Sequence, residues 1–388
     1  MLAPKLRFKE FNDEWKKIKL KYISTELQYG MNVAATDFDG MNKYIRITDI
    51  DDNTHLYNNN PVSPDGKLEE KFLVNTNDIL FARTGASTGK TYLYSIEDGR
   101  LYFAGFLIRA HIKENNNSRF IFEQTNLSRY KNWLKLTSMR SGQPGINSAE
   151  YGNYEFSITN IDEENKIAHF FELLNKKIEL QQRKIEVLKM YKRGLINQLY
   201  TSLDCSEVQI KDIGEVITGT TPSKDNLSYW SNGTIVWVTP SDITEFKNIS
   251  DSQIHLTPQG LNAGRKLPKN TLLITCIASI GKNAILKVDG SCNQQINAII
   301  PCSDYDIDFL YYLFEYKKSY MQSIAGTSAT SIINKSSFEK ILLKIPKISV
   351  QKNIAKYLSA IDYKIEIQQH LLNRLFTFKK SLLQQMFI

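Results

Sequence analysis

Residues 83–91, RTGASTGKT, have the ingredients of a phosphate-binding loop. Glycines let backbone amides approach an anion, and the Gly-Lys-Thr ending follows an apolar run, Ile79 to Ala82, that reads as a strand. A nucleotide-binding P-loop requires G-x-x-x-x-G-K-[ST]. Here Gly85 stands only four residues before Gly89, and the position five before it is Thr84. The loop is one residue too short to wrap a triphosphate in the usual way. A related stretch, CIASIGKN at 276–283, keeps Ser279, Gly281 and Lys282 but lacks the leading glycine and ends in Asn283. No later apolar run ends in the Asp expected of a magnesium-binding partner. The spacing therefore argues against nucleotide hydrolysis. What both stretches retain is a strand, a small-residue turn and Gly-Lys. Lys90 or Lys282 could place a point charge on a phosphate, with Thr84, Ser87 and Ser279 beside it, and Arg83 could reach a phosphate or a guanine edge. The alternative is a tight turn whose lysine is solvated.

Other enzyme chemistries find no residues to carry them. There is no N-P-P-[FY] or D-P-P-[FY] tetrapeptide for amino-methylation and no glycine-rich S-adenosylmethionine loop. Pro64-Asp65 with Glu69-Glu70-Lys71 resembles a nuclease carboxylate set, but the spacing is too tight for a two-carboxylate metal site. The five histidines are scattered and the four cysteines lack C-x-x-C spacing, so neither a zinc site nor a disulfide framework is expected. Buried thiols in a reducing cytoplasm are the simplest reading. Small-polar loops remain. GTTPSKDNLSYW at 219–230 offers Thr221, Lys224 and Tyr229, and VTPSD offers Thr239 and Ser241. SMRSGQPGIN at 138–147 offers Arg140, Ser141 and Gln143, and AGTSATSIIN at 325–334 offers Thr327, Ser328 and Thr330. Each side chain can hydrogen-bond phosphates and base edges, or can be an ordinary loop residue.

The net charge of +8 favours polyanionic partners, chiefly nucleic acid. At 388 residues two or more compact units are expected. No apolar run approaches the ~18 residues of a membrane span. The opening MLAPKLRFKEFNDEW lacks the apolar core of a secretory signal. A cytoplasmic protein with no membrane partner is expected.

The elements that must position these loops occur twice. The segment from Ile161, IDEENKIAHFFELLNKKIELQQRKIEVLKMYKRGLINQLY, aligns without a gap with that from Ile348, ISVQKNIAKYLSAIDYKIEIQQHLLNRLFTFKKSLLQQMF. Ahead of them, YIRITDI parallels VWVTPSDI, NDILFARTGASTGK parallels NTLLITCIASIGK, and SGQPGIN sits where GTSATSIIN sits. The loops differ most between the copies, as expected if each globular part reads something different. Short β-rich runs bounded by Gly, Pro, Asn and Asp, with amphipathic stretches such as FIFEQTNLSRYKNWLKL, predict an α+β globular part in each copy.

The first long helix carries Ile167, Phe171, Leu174, Ile178, Gln181, Ile185, Leu188 and Lys192 at spacings of four and three. At the same offset the second carries Ile354, Leu358, Ile361, Ile365, Gln368, Leu372, Leu375 and Lys379. These are a/d heptad seams, each interrupted by Gln and by Lys at matching places. A polar seam residue penalises wrong registers, so the duplication points to two helices packed on each other in one register. The expected architecture is α+β: pseudo-symmetric globular domains at 1–160 and 201–346, separated by an antiparallel two-helix coiled coil of 161–200 and 347–388. The stretch from Ile167 to Leu199 spans roughly 50 Å, long enough to hold two domains about one DNA turn apart.

This pattern resembles the specificity subunit of type I restriction-modification systems. The resemblance rests on Ile167-Ala168, Lys177-Ile178-Glu179 and Gln181-Gln182, on Ile354-Ala355, Lys364-Ile365-Glu366 and Gln368-Gln369, and on GTTPS…YW followed by VWVTPSDI. It implies two target-recognition domains that bind an asymmetric bipartite site on double-stranded DNA, with the gap set by the helix pair. It also implies that the chain is not catalytic and carries no cofactor. Two methyltransferase subunits would use S-adenosylmethionine on adenine, and two restriction subunits would use ATP and Mg2+. The first domain departs from the usual opening, with LQYGMNVAATDF in place of GTTPSKDNLSYW. A coiled-coil scaffold that binds only proteins is the alternative.

Overall fold

The computed structural model describes residues 3–139, 143–203, 205–325 and 331–388. It divides into two compact units, Met1–Gln182 with Leu371–Ile388, and Arg183–His370. In unit 1, strands β1 (Ser24–Tyr29), β2 (Asp78–Ala82), β3 (Thr91–Leu93) and β4 (Leu107–Ile112) form an antiparallel sheet in the order β1-β4-β2-β3. Every residue of β2 is buried, as the apolar run Ile79 to Ala82 requires, and the buried Asp78 at its start pairs with His111. Helix α1 (Ser118–Gln124) lies against β2 and β3 and starts at Asn117, whose side chain accepts the Phe120 amide at 3.0 Å. Helices α2 (Ser128–Thr137) and α3 (Ser148–Asn153) follow. The amphipathic stretch over α1 and α2 is thus two helices. Thr125 ends the first by donating its hydroxyl to the Phe122 carbonyl at 2.7 Å.

Helix α4 (Ile161–Thr201) then runs for 41 residues. Unit 2 repeats the sheet with one strand more. Strands β5 (Gly214–Thr218), β6 (Asn248–Ile249), β7 (Thr271–Thr275), β8 (Asn283–Leu286) and β9 (Ile296–Pro301) lie in the order β5-β9-β7-β8-β6. Only β6 pairs in parallel, with β8. The register is duplicated: Ile79 faces Ala110 and Ala82 faces Leu107, as Leu272 faces Ile299 and Thr275 faces Ile296. Helix α5 (Ile307–Ile324) starts on Asp306, which accepts the Phe309 amide at 2.9 Å. Helix α6 (Ile348–Met386) follows Pro346.

Both long helices contribute to both units. In unit 1 the start of α4 meets the end of α6: the Phe171 and Phe387 rings lie 5.9 Å apart. In unit 2 the end of α4 meets the start of α6: the Tyr191 and Tyr357 hydroxyls are 3.2 Å apart. The reversed order is an antiparallel pairing. The seam is buried at Ile167, Phe171, Leu174, Ile178, Gln181, Ile354, Leu358, Ile361 and Leu375, and half-buried at Leu188, Ile365 and Gln368.

The duplicated lysines of the seam each meet a carboxylate. Lys192 Nζ lies 2.5 Å from Asp362, which also accepts the Tyr312 hydroxyl at 2.6 Å. Lys379 Nζ lies 3.2 Å from the fully buried Glu123, which also accepts the Asn175 amide at 2.7 Å. Asn117 and Asp306 cap equivalent helices, so Glu123 and Tyr312 occupy equivalent places, as do Asn175 and Asp362 in the aligned long helices. The carboxylate has therefore changed sides between the copies, while the lysine has stayed.

Candidate nucleic-acid interface

The Gly-Lys stretch of unit 1 is the hairpin turn from β2 to β3. It closes with Gly89 N–H donating to the Ala82 carbonyl and Ala82 N–H to that of Lys90, both at 2.8 Å. Gly85 and Gly89 have φ of +78° and +91°, the left-handed region where glycine is favoured. A Cβ on Gly89 would also stand 2.2 Å from Leu134 Cδ1. The amides of Gly85, Thr88, Gly89 and Lys90 all donate to carbonyls of the protein, those of Pro144, Gly85, Ala82 and Ser87. They do not form an open cradle for phosphate.

The turn is docked onto two other segments. Arg83 N–H donates to the Phe106 carbonyl at 3.0 Å, Ile146 N–H to that of Arg83 at 2.8 Å, and Gly85 N–H to that of Pro144 at 3.0 Å. Met31 N–H donates to the Phe103 carbonyl at 2.8 Å. The polar loop around Gln143 is thereby joined to the Gly-Lys turn, the end of β1 and the Gly105–Phe106 corner before β4. Unit 2 makes the same bonds. Cys276 N–H donates to Gln295 at 2.8 Å, Ile333 N–H to Cys276 at 2.9 Å, Gly281 N–H to Thr275 at 2.9 Å, and Thr220 N–H to Cys292 at 2.9 Å, each to a carbonyl. Strand-like bridges join Thr84 to Gly145 and Ile277 to Ile332 in the two turns.

The side chains on this common scaffold differ. Lys90 is only 12% exposed, and its ammonium donates to the Ile50 carbonyl at 2.9 Å and pairs with Asp52 at 2.5 Å. Lys282 is half-buried, without an ion-pair partner among the described residues. Arg83 lies over the Tyr29 ring, 4.8 Å from its centroid, and donates from Nη1 to the Gly105 carbonyl at 3.3 Å. Thr84 and Ser87 are half-buried, and Gln143 is exposed beside Gly85. In unit 2, burial pushes the Cys276 thiol, in the place of Arg83, up to about 12, so it is no thiolate at neutral pH. The Thr221 hydroxyl donates to Gln294, while Ser279 is half-buried and its carbonyl accepts the Thr275 hydroxyl.

The rest of GTTPSKDNLSYW reaches the cluster through two tryptophans. Trp237 Nε1 donates to the Thr220 carbonyl at 3.1 Å, and its ring meets that of Trp230 at 5.0 Å. Tyr229 ends a short helical turn, and Lys224 is exposed. Thr239 donates its hydroxyl to Asp242 at 2.7 Å and lies 2.7 Å from the Ser241 hydroxyl, so this pair shapes the loop after Val238. Arg140, Ser141, Thr327, Ser328 and Thr330 lie outside the described residues. Tyr29, Phe106 and Gln294 join the cluster without having been singled out in the sequence. Their signal is positional: AGF at 104–106 and NQQ at 293–295 precede equivalent strands.

Among the described residues no group of three or more His, Cys, Asp or Glu could hold a metal ion, and no helix is long and apolar enough to cross a membrane.

The family model described as "Type I restriction modification DNA specificity domain" matches twice, over residues 6–190 and 203–376. The MjaIX type I restriction enzyme specificity subunit of Methanocaldococcus jannaschii is 37% identical over 164 residues, 41% of this chain and 38% of that protein's length. The EcoR124I/EcoR124II specificity subunit of Escherichia coli is 30% identical over 40% of this chain and 41% of its own. These matches span well under half the length of either relative. The putative MjaX specificity subunit of M. jannaschii is 24% identical but matches over 93% of this chain and 89% of its own. Among solved structures, the S subunit of a type I restriction-modification system from M. genitalium superposes with a TM-score of 0.62 over 100% of this chain and 99% of its own, at 14% identity. That likeness is one of fold.

Proposed function

The chain belongs to the type I restriction-modification DNA specificity family, and on that premise we propose that it is the sequence-reading subunit of such a complex. It binds a bipartite, asymmetric site on double-stranded DNA, with one half read by each globular domain. The observation that carries this reading is the duplicated scaffold: the same backbone bonds hold three loop segments together in each unit, while the side chains presented differ. A repeated frame with different contents suits a protein that reads two unlike half-sites. Backbone-phosphate contacts position such a reader, and side chains on base edges give it specificity.

The antiparallel helices fix the gap between the half-sites. The chain itself performs no chemistry. Two methyltransferase subunits bring S-adenosylmethionine and modify adenine, and two restriction subunits bring ATP and Mg2+. The complex acts in the cytoplasm, where the DNA is. Long-read sequencing of methylated adenines tests this in a host carrying the complete system. Deleting the gene for this chain is expected to erase one bipartite motif. If every methylated motif survives the deletion, the reading fails.

A further inference from the structure

We propose that Arg83, held in place by Tyr29, reads a guanine in the half-site bound by unit 1, an inference that rests on the DNA-reading function proposed above. Tyr29 ends β1 and is 37% exposed. Its hydroxyl accepts the Ser148 amide at 3.0 Å, at the first residue of α3. A reciprocal capping pair, Asn147 with Glu150, fixes that helix start, so the ring is anchored at both ends. The Arg83 guanidinium lies over the ring, and one of its nitrogens donates to the Gly105 carbonyl. No carboxylate among the described residues pairs with it. A guanidinium has five N–H donors in a rigid fork, so most remain to face a ligand. An arginine stacked and tethered in this way matches the O6/N7 edge of guanine, which takes two parallel hydrogen bonds.

The other cation of the turn does not compete for this role, because Lys90 is tied to Ile50 and Asp52. Exposed at 59%, Phe106 flanks the arginine through the backbone bond between them and offers an apolar surface beside it. At the equivalent positions unit 2 has neither the arginine nor the ring. Buried Cys276 stands in the place of Arg83, and Thr218, whose hydroxyl donates to Asn297 at 2.8 Å, in that of Tyr29. Among the described residues, an arginine stacked in this turn therefore belongs to the first half-site.

The test is the methylated motif in cells carrying the complete system with Arg83→Lys or Tyr29→Leu. Arg83→Lys keeps the charge and the backbone bonds but removes the fork; Tyr29→Leu removes the ring from beneath an intact arginine. In both, the preference for guanine at one position of the first half should fall by at least about tenfold. The second half and the gap should be unchanged, which also shows that the variant folds. Three results overturn the proposal. One is relaxation at an A·T pair. Another is an unchanged motif. The third is equal weakening at every position, the mark of a phosphate contact. A wild-type chain that directs no bipartite motif overturns the DNA-reading function itself, and this proposal with it.

Discussion

Moving a negative charge from α1 to α4 around Lys379 tests whether the duplicated lysines work as register keys. In unit 1, Lys379 faces Glu123, with Asn175 beside it; in unit 2, Lys192 faces Asp362, with Tyr312 beside it. Glu123→Gln alone leaves the Lys379 ammonium, 18% exposed, without its carboxylate. Removing one partner of a buried pair costs about 3–5 kcal/mol, and the partial exposure of the lysine brings the expectation to about 2–3 kcal/mol. Asn175→Asp alone places two carboxylates around one ammonium, a like-charge contact that is again destabilising. The double variant moves the carboxylate to the position it occupies in unit 2 and should recover most of the loss. In thermal unfolding each single variant should melt roughly 4–12 °C lower, given about 2–4 °C per kcal/mol for a unit of this size. The double should melt within about 2 °C of the wild type, with a coupling energy of at least about 2 kcal/mol across the cycle. Additive losses in the double variant would refute the idea that the carboxylate can change sides around a fixed lysine.

Two further outcomes follow from the helices. Burial pushes the Glu164 carboxyl up to about 7 from its ordinary 4.5, although it accepts the Asn117 amide at 2.8 Å. Between those values the folded chain holds a proton that the unfolded chain has released, so stability falls as pH rises across that window. Unit 2 has the neutral Gln351 at this place, accepting the Asp306 amide at 2.9 Å, and Glu164→Gln should flatten the fall in melting temperature between pH 4.5 and 7; an unaltered slope would contradict the assignment. Adding one heptad to both long helices should lengthen them by ~10 Å and widen the methylated motif's gap by about three base pairs. A working variant with the original gap would sink the ruler.

Much of the architecture was legible because it was written twice. The heptads of α4 and α6 and the runs DILFA and TLLIT carry periodicities that survive in one chain read alone, and the constant offset between copies fixed their correspondence. The break between α1 and α2 was not legible, since it depends on Thr125 bonding to its own helix. Nor was the fate of Lys90. Its partners Ile50 and Asp52 are brought to it by folding, and no local pattern separates a tethered lysine from a solvated one. Lys192 and Lys379 read as interruptions that destabilise a seam; that each meets a carboxylate, on different elements in the two units, is a tertiary fact. Tyr29, Phe106 and Gln294 were missed for the same reason, being single residues brought beside the turn and its neighbouring loops by tertiary bonds.

The claim that two independent readers share one scaffold is tested most directly by damaging one reader and sequencing the methylated motif of both. Gln294→Ala, at an exposed side chain bonded to Thr221, leaves every backbone bond of the unit 2 cluster in place. The motif should become degenerate in its second half only, with the first half and the gap intact. Degeneracy in both halves, or in the first alone, would contradict the claim.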